Sequence, residues 1–353
     1  MRLLIFARQN ISTSTLSHIH RKRNPLLHAP IHPRTPYTTN FDFAFSLTFT
    51  KRASSTMTTI TLKSPAISVS LPAGFSEEQL LSFSPFHHWL QTLTKSLSLQ
   101  HANPKHPFHE DPYALRSITV QSYDLFGAKR VGFLKLRADV TNSAGEALPG
   151  AVFLRGPSVG MLMMLIPDDA AARPQGAGLH DEERYVVLTV QPRIPAGSLA
   201  FPELPAGMVD DDDDDAAAGE SGEGKFAGTA AREIHEELGI EIPASELVCL
   251  SDLAADDSGA AAQGDEEEGL PSAMYPSAGG CDEYIPIYMH ERRVPRDTLK
   301  EWTGKLTGLR DHGEKITLKL VPMRDLWREG RRDAKALAAL ALWEGLKREG
   351  KLQ

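Results

Sequence analysis

The sequence predicts an α/β chain of the α+β kind, and three observations carry that expectation. From Ser117 to Leu165 short runs of alternating apolar character are separated by turn signals at Phe126-Gly127, Asn142 through Gly145 and Gly156-Pro157. Such runs read as antiparallel strands with one face buried. Near Ala230 the period changes: Ala230, Ala231, Ile234 and Leu238 recur at helical spacing, and Gly239 stands where a helix stops. Asp333 through Arg348 is rich in Ala and Leu at the same spacing and predicts a closing helix that covers one face of a sheet.

The chain of 353 residues is long enough to bury a substantial core. Its net charge of −8 comes largely from two acidic runs, so the folded part gives no sign of a nucleic-acid surface. Only Cys249 and Cys281 are present, too few for a disulfide scaffold. No stretch reaches the roughly 20 apolar residues that span a bilayer, so no membrane partner is expected. Residues 1–56 are basic and rich in Ser and Thr, with Asp42 as the single acid. That is the composition of an organelle transit peptide, mitochondrial or plastid; otherwise the segment is a disordered extension, Met57 is the start and the protein is cytoplasmic.

After that segment, Ile60 to Leu62 and Ile67 to Leu71 alternate like strands. Ser76, Glu77 and Glu78 begin a helix whose stripe is Phe86, Trp89, Leu90 and Leu93. His87 and His88 are neighbours, and adjacent helical residues do not face one another, so packing or surface roles are expected. Tyr185 resumes a strand through Val190 that ends at Pro192. Val248 begins another strand, Tyr284 to Met289 reads as a buried one, and Lys315 to Pro322 as a further one. Asp210 to about Gly222 and Ala254 to Gly269 are acidic, low-complexity insertions.

On the helix that ends at Gly239, Glu233, Glu236 and Glu237 stand at i, i+3 and i+4 and project from one face. Like charges so placed cost roughly 0.2–0.5 kcal/mol per pair in water. A hard divalent cation, Mg²⁺ or Mn²⁺, suits such an all-oxygen cluster; a solvated face with Arg232 paired to Glu236 accounts for it equally. Before it, Glu203 to Asp210 reads as a short strand turning at Pro205-Ala206-Gly207, where backbone carbonyls can face an ion.

Together these stretches resemble the Nudix hydrolases, whose box runs G-x5-E-x7-R-E-U-x-E-E-x-G-U with U a bulky aliphatic residue. Arg232, Glu233, Ile234, Glu236, Glu237, Gly239 and Ile240 fill the second half without a gap. The first half departs, because Gly207 lies too far from Arg232 and Gly224 stands where the first glutamate would be. That glutamate is therefore missing, or supplied by Glu220 or Glu223. The strand order resembles the ADP-sugar and ADP-ribose diphosphatase branch of the family over about residues 112–350. The resemblance implies an α/β/α sandwich with a mixed sheet, preceded by a small N-terminal antiparallel β unit. It divides the chain into the extension 1–56, a strand and helix region 57–160 and a hydrolase domain 161–353.

The resemblance further implies a metal-dependent hydrolase that splits ADP-ribose or ADP-glucose into AMP and a sugar phosphate. The metal would be held by Glu233, Glu236, Glu237 and the carbonyl of Ala206, with Arg232 orienting a carboxylate. Arg193, in a Q-x-R pattern, suits a diphosphate, although a surface ion pair would explain it too. Arg155 matches the branch without an assignable role. Ser277 to Glu283 looks like the branch's S-x-G-G-x-x-E turn, with Gly279, Gly280 and Glu283 as substrate-binding residues and Cys281 as a small loop side chain. A loop near residues 307–314 would deliver the general base, with Glu314 the best match and Glu283 and His312 as rivals. The branch implies a homodimer with a nucleotide sugar as partner. Two alternatives remain open: a Nudix-fold protein that binds a nucleotide sugar without hydrolysis, and an enzyme for other nucleoside diphosphate derivatives.

Overall fold

The computed structural model describes residues 57–127, 130–170, 183–209, 222–255, 268–309 and 314–352. Residues 1–56, on which the transit-peptide expectation rests, lie outside them, as do His312, Glu220 and most of both acidic runs. The first sheet is built from β1 (Thr58–Thr61), β2 (Ser68–Leu71), β3 (Ala114–Phe126), β4 (Arg130–Thr141) and β5 (Ala151–Leu154), in that spatial order. β3, β4 and β5 pair antiparallel as expected from Ser117 onward, and β2 adds a parallel neighbour to β3. Parallel neighbours need a crossover rather than a hairpin, and two helices, α1 (Glu77–Leu81) and α2 (Ser84–Ala102), supply it.

The single helix expected after Ser76 is thus two. Ser76 and Gln79 form a capping box on α1. Pro85 has no N–H with which to continue that helix, so α2 starts afresh. The Leu81 carbonyl instead has the His87 ring Nε2 at 2.6 Å, and His87 and His88 are both exposed. Leu80, Phe86 and Leu90 pack against Val69, Ile118, Leu134 and Leu136 as the core of this unit.

The second sheet begins with β6 (Ser158–Pro167) and β7 (Tyr185–Arg193), followed by β8 (Ser198–Glu203) and β9 (Ala206–Met208). After α3 (Gly222–Leu238) come β10 (Val248–Cys249), α4 (Leu250–Ala255), β11 (Ile287–Val294) and α5 (Arg296–Trp302). The chain closes with β12 (Leu306–Thr307), β13 (Ile316–Pro322), α6 (Leu326–Glu329) and α7 (Ala334–Arg348). The main order is β10-β11-β6-β7-β13-β12, with β6 and β11 parallel and the remaining pairs antiparallel. Every residue of β6 is buried, as its unbroken apolar run requires when helices cover both faces. On one face Met161, Met163 and Leu165 meet Ala230, Ile234 and Leu238 of α3 and Trp302 of α5. On the other Leu162, Met164 and Leu188 meet Leu250 of α4 and Ala336, Leu340 and Trp343 of α7. The domain is an α/β/α sandwich around a mixed sheet.

Some boundaries differ from the expected ones. β7 continues through Arg193 and β11 through Val294, whereas Val248 opens a strand of two residues that passes at once into α4. α3 begins at Gly222, where the first acidic insertion was expected to end, and α4 includes Ala254 and Ala255, so the second starts later than its composition suggested.

One irregularity places the chemistry. β6 and β7 pair only at Met164–Leu165 with Val186–Tyr185 and then diverge. β8 continues the sheet along β7 and β9 along β6, with Leu204 and Pro205 between them. The segment from Glu203 to Met208 therefore sits in the split, beneath α3.

Candidate active site

Ile234 and Leu238 pull α3 onto the sheet, and the same rotation turns Glu233 and Glu237 toward β9. A Cβ added at Gly207 would fall on the Glu233 carboxyl group, so glycine there is what lets that side chain lie on the β9 backbone. One turn on, Glu237 Oε2 accepts the Ala206 N–H at 3.3 Å. Glu237 is only 5% exposed. Burial pushes its carboxyl well above the usual range, and the charges of Glu233 and Glu203 push it further; Arg193 and the Ala206 N–H pull the other way. Glu236 is half-buried and Arg232 exposed on the same helix, and no described contact brings Glu236 to the pair. Gly239 ends the helix at φ +74°, with its N–H on the His235 carbonyl.

Beside the glutamate pair runs an ionic chain that the sequence reading missed. Arg193 Nε donates to Glu203 Oε1 at 2.6 Å, and Lys335 Nζ contacts Glu203 Oε2 at 3.0 Å and Asp333 Oδ1 at 2.9 Å. Asp333 caps α7 and accepts the Leu204 N–H at 2.8 Å. Glu203 and Asp333 are each 4% exposed. Burial works against the Lys335 charge, but Asp333 and Glu203 outweigh it and hold its ammonium above the usual range. Asp333 carried one readable signal, an acid before an Ala-rich helix; Lys335 and Glu203 carried none.

Around the glycine pair, Gly280 accepts the Phe153 N–H at 2.8 Å, which ties the turn to β5. Asp282 accepts the N–H groups of Arg155 and Gly156; burial raises its carboxyl and those bonds oppose the rise. Glu283 Oε1 accepts the Ser158 hydroxyl at 2.8 Å and pairs with Arg155 Nη1 at 3.1 Å. Ser158 is the register partner of Met208, and its side chain lies on the face opposite to that of Val159, the partner of Gly207. Gly279 and Gly280 instead line a cavity of about 800 Å³ with Trp89, Tyr113 and Tyr275; Glu203, Glu233 and Glu237 are not part of its wall. A Cβ at either glycine would meet nothing within 4 Å, so packing does not demand glycine there.

Glu314 is exposed, and its Oε2 accepts the Leu309 N–H at 3.0 Å, closing the described ends of the β12–β13 connection. No described contact joins it to Glu233 or Glu237. Cys281 is half-buried beside Asp282, and burial raises its thiol; Cys249 is pushed up to about 12 for the same reason. Neither cysteine has the lowered pKa of a nucleophile.

The structure thus brings Glu233, Glu237, Ala206 and Arg193 together, and no described contact joins Gly279, Gly280, Glu283 or Glu314 to them. Among the described residues no three His, Cys, Asp or Glu side chains form a ligand group. The donor set that is present still fits a hard cation. Two carboxylates lie against one backbone segment, one of them is buried and raised by like charge, and both oxygens of the third acid, Glu203, are occupied by Arg193 and Lys335.

No protein-family model matches the chain. It aligns with solved structures described as an ADP compounds hydrolase (17% identity, 68% of this chain and 99% of that one, TM-score 0.37) and a Nudix hydrolase from Alicyclobacillus acidocaldarius (16%, 54%, 90%, TM-score 0.30). Neither likeness carries an argument. The protein relative does: Nudix hydrolase 14, chloroplastic, of Arabidopsis thaliana is 35% identical over 286 residues, 80% of this chain and 78% of that protein. With that identity over most of both sequences, and Glu233 and Glu237 of the box folded onto Ala206 and Gly207 of β9, the chain belongs to the Nudix hydrolase family.

Proposed function

We propose that the protein hydrolyses the diphosphate bond of ADP-sugars, ADP-ribose or ADP-glucose, to AMP and a sugar phosphate in a Mg²⁺- or Mn²⁺-dependent reaction. The observation that carries the reading is the Glu233–Glu237 pair lying against Ala206 and Gly207 with Arg193 at its side. Glu233, Glu237 and the Ala206 carbonyl would hold the cation, with Glu236 and Arg232 on the outer face of α3. When bound, the cation offsets charge on the diphosphate and lowers the pKa of a bound water. Arg193 binds a phosphoryl oxygen. Glu283, held by Ser158 and Arg155, would bind the sugar end, and the open side of Gly279 and Gly280 leaves room for a ligand to approach backbone.

Glu314 is the proposed base that takes the proton of the attacking water. It precedes β13, whose residue Thr317 pairs with Val190, three residues before Arg193 on β7. Incubating the full chain with ADP-ribose, ADP-glucose, UDP-glucose, NADH and a dinucleoside polyphosphate, each with Mg²⁺, and separating products by chromatography tests the reading. AMP plus sugar phosphate from the ADP-sugars is the expected result. Binding of an ADP-sugar without turnover would make the protein a nucleotide-sugar sensor instead.

For localisation, the reading is delivery to a plastid by residues 1–56. The acid-poor composition of that segment and the chloroplastic name of the Arabidopsis thaliana relative support it. Fusing residues 1–56 to a fluorescent protein tests it, and a diffuse cytoplasmic signal would reject it.

A further inference from the structure

We infer that Glu203 is a positioning residue of the site: it fixes Arg193 so that the terminal edge of the guanidinium faces the diphosphate, while Asp333 and Lys335 hold Glu203 from the start of α7. The inference rests on the proposed diphosphate chemistry and deepens it. Glu203 has a buried side chain, 5% exposed, and each of its oxygens is engaged, one by Arg193 Nε and one by Lys335 Nζ.

Lys335, 12% exposed, is shared by two buried carboxylates, Glu203 and Asp333. The second cation is differently placed. The Arg193 side chain is 41% exposed, and it meets Glu203 through Nε alone, at 2.6 Å. A guanidinium anchored through Nε keeps Nη1 and Nη2 as a planar two-donor edge, the geometry that fits two phosphoryl oxygens. Neither terminal nitrogen has a bond to a described residue.

Lys335 cannot take the role, because Glu203 and Asp333 occupy it. The chain Asp333–Lys335–Glu203–Arg193 thus runs from the cap of α7, which also holds the Leu204 N–H, to the donor edge at the cleft.

The test is a double-mutant cycle on the full chain, with Glu203→Gln, Arg193→Gln and the double variant. The readouts are calorimetric binding of inorganic diphosphate at fixed Mg²⁺ and, separately, Mn²⁺ affinity by electron paramagnetic resonance. Glu203→Gln should weaken diphosphate binding about tenfold, and the double variant should bind no more weakly than Arg193→Gln alone. Mn²⁺ affinity should stay within about twofold throughout. Additive losses, unchanged diphosphate binding in Glu203→Gln, or an equal loss of Mn²⁺ would overturn the inference. If Glu203→Gln does not fold, Glu203→Gln with Lys335→Met and Asp333→Asn removes the three buried charges together, keeps a capping side chain on α7 and carries the same expectation. Since diphosphate binding needs no turnover, a wild-type chain that shows the coupling yet cleaves no nucleotide sugar would sink the proposed function and leave this inference standing.

Discussion

Glu237 is buried next to Glu233 and Glu203, and in the metal-free chain its ionised form is the unfavourable one. Its folded pKa is raised, so the stability contributed by the protonated group is present below the ordinary glutamate range and is lost as pH rises through the folded value. Glu237→Gln keeps the shape and cannot ionise. In EDTA its melting temperature should therefore exceed that of wild type by a margin that grows from acid to neutral pH, while turnover in Mg²⁺ falls by on the order of 100-fold or more. A margin that does not change with pH would remove the buried-charge account, and retained turnover would remove the metal-cluster reading.

Gly207→Ala acts on the partner side of the same contact. The new Cβ would displace the Glu233 carboxyl, so Mn²⁺ affinity should drop about 10- to 100-fold; unchanged affinity would mean that Glu233 holds no cation. At this scale Glu233 and Glu237 were legible because helical spacing put them on one face beneath a recognisable stop. Glu203 was not, since a lone acid ending a strand has no period and its partner Lys335 lies 132 residues away.

At the scale of elements, the start of α7 joins the last helix to the strand pair in the split. Asp333 accepts both the Lys335 and the Leu204 N–H, so Asp333→Ala strips a helix cap and orphans a buried amide at once. It should cost about 2–4 kcal/mol in urea unfolding; a loss under about 1 kcal/mol would show that water replaces the cap.

The helices α3 and α7 and the long strands β3, β4, β6 and β7 were readable from period and punctuation. Two features were not. The parallel pairing of β2 with β3 depends on which strands meet, and an alternating run does not record its partner. β9 has three residues, too few for a period, and is ordered by the divergence of β6 from β7.

At the scale of the whole molecule, the β unit presents an aromatic ladder that its own core does not use. Phe126, Phe133 and Phe153 stand on β3, β4 and β5 with ring centres 5.2 and 5.5 Å apart, and the Arg130 guanidinium lies 5.4 Å from the Phe126 ring centre. Phe126 is 37% and Phe153 38% exposed, which is unusual for neighbouring large rings on one sheet face. A second copy of the chain would cover these rings and give the short edge strand β5 a neighbour. A purine held against such rings gains stacking, and a slot built to bond its edge rejects a pyrimidine by leaving buried polar groups unmatched. The protein should therefore be a homodimer that prefers ADP-sugars to UDP- and GDP-sugars. The double variant Phe126→Ala with Phe153→Ala should raise the KM for ADP-glucose about tenfold or more, with kcat changed far less, and shift the light-scattering mass toward the monomer. Comparable turnover of ADP-glucose, UDP-glucose and GDP-mannose by the wild type, or a fully active monomer at micromolar concentration, would return the enclosing role to the chain's own loops around the cavity beside Gly279 and Gly280.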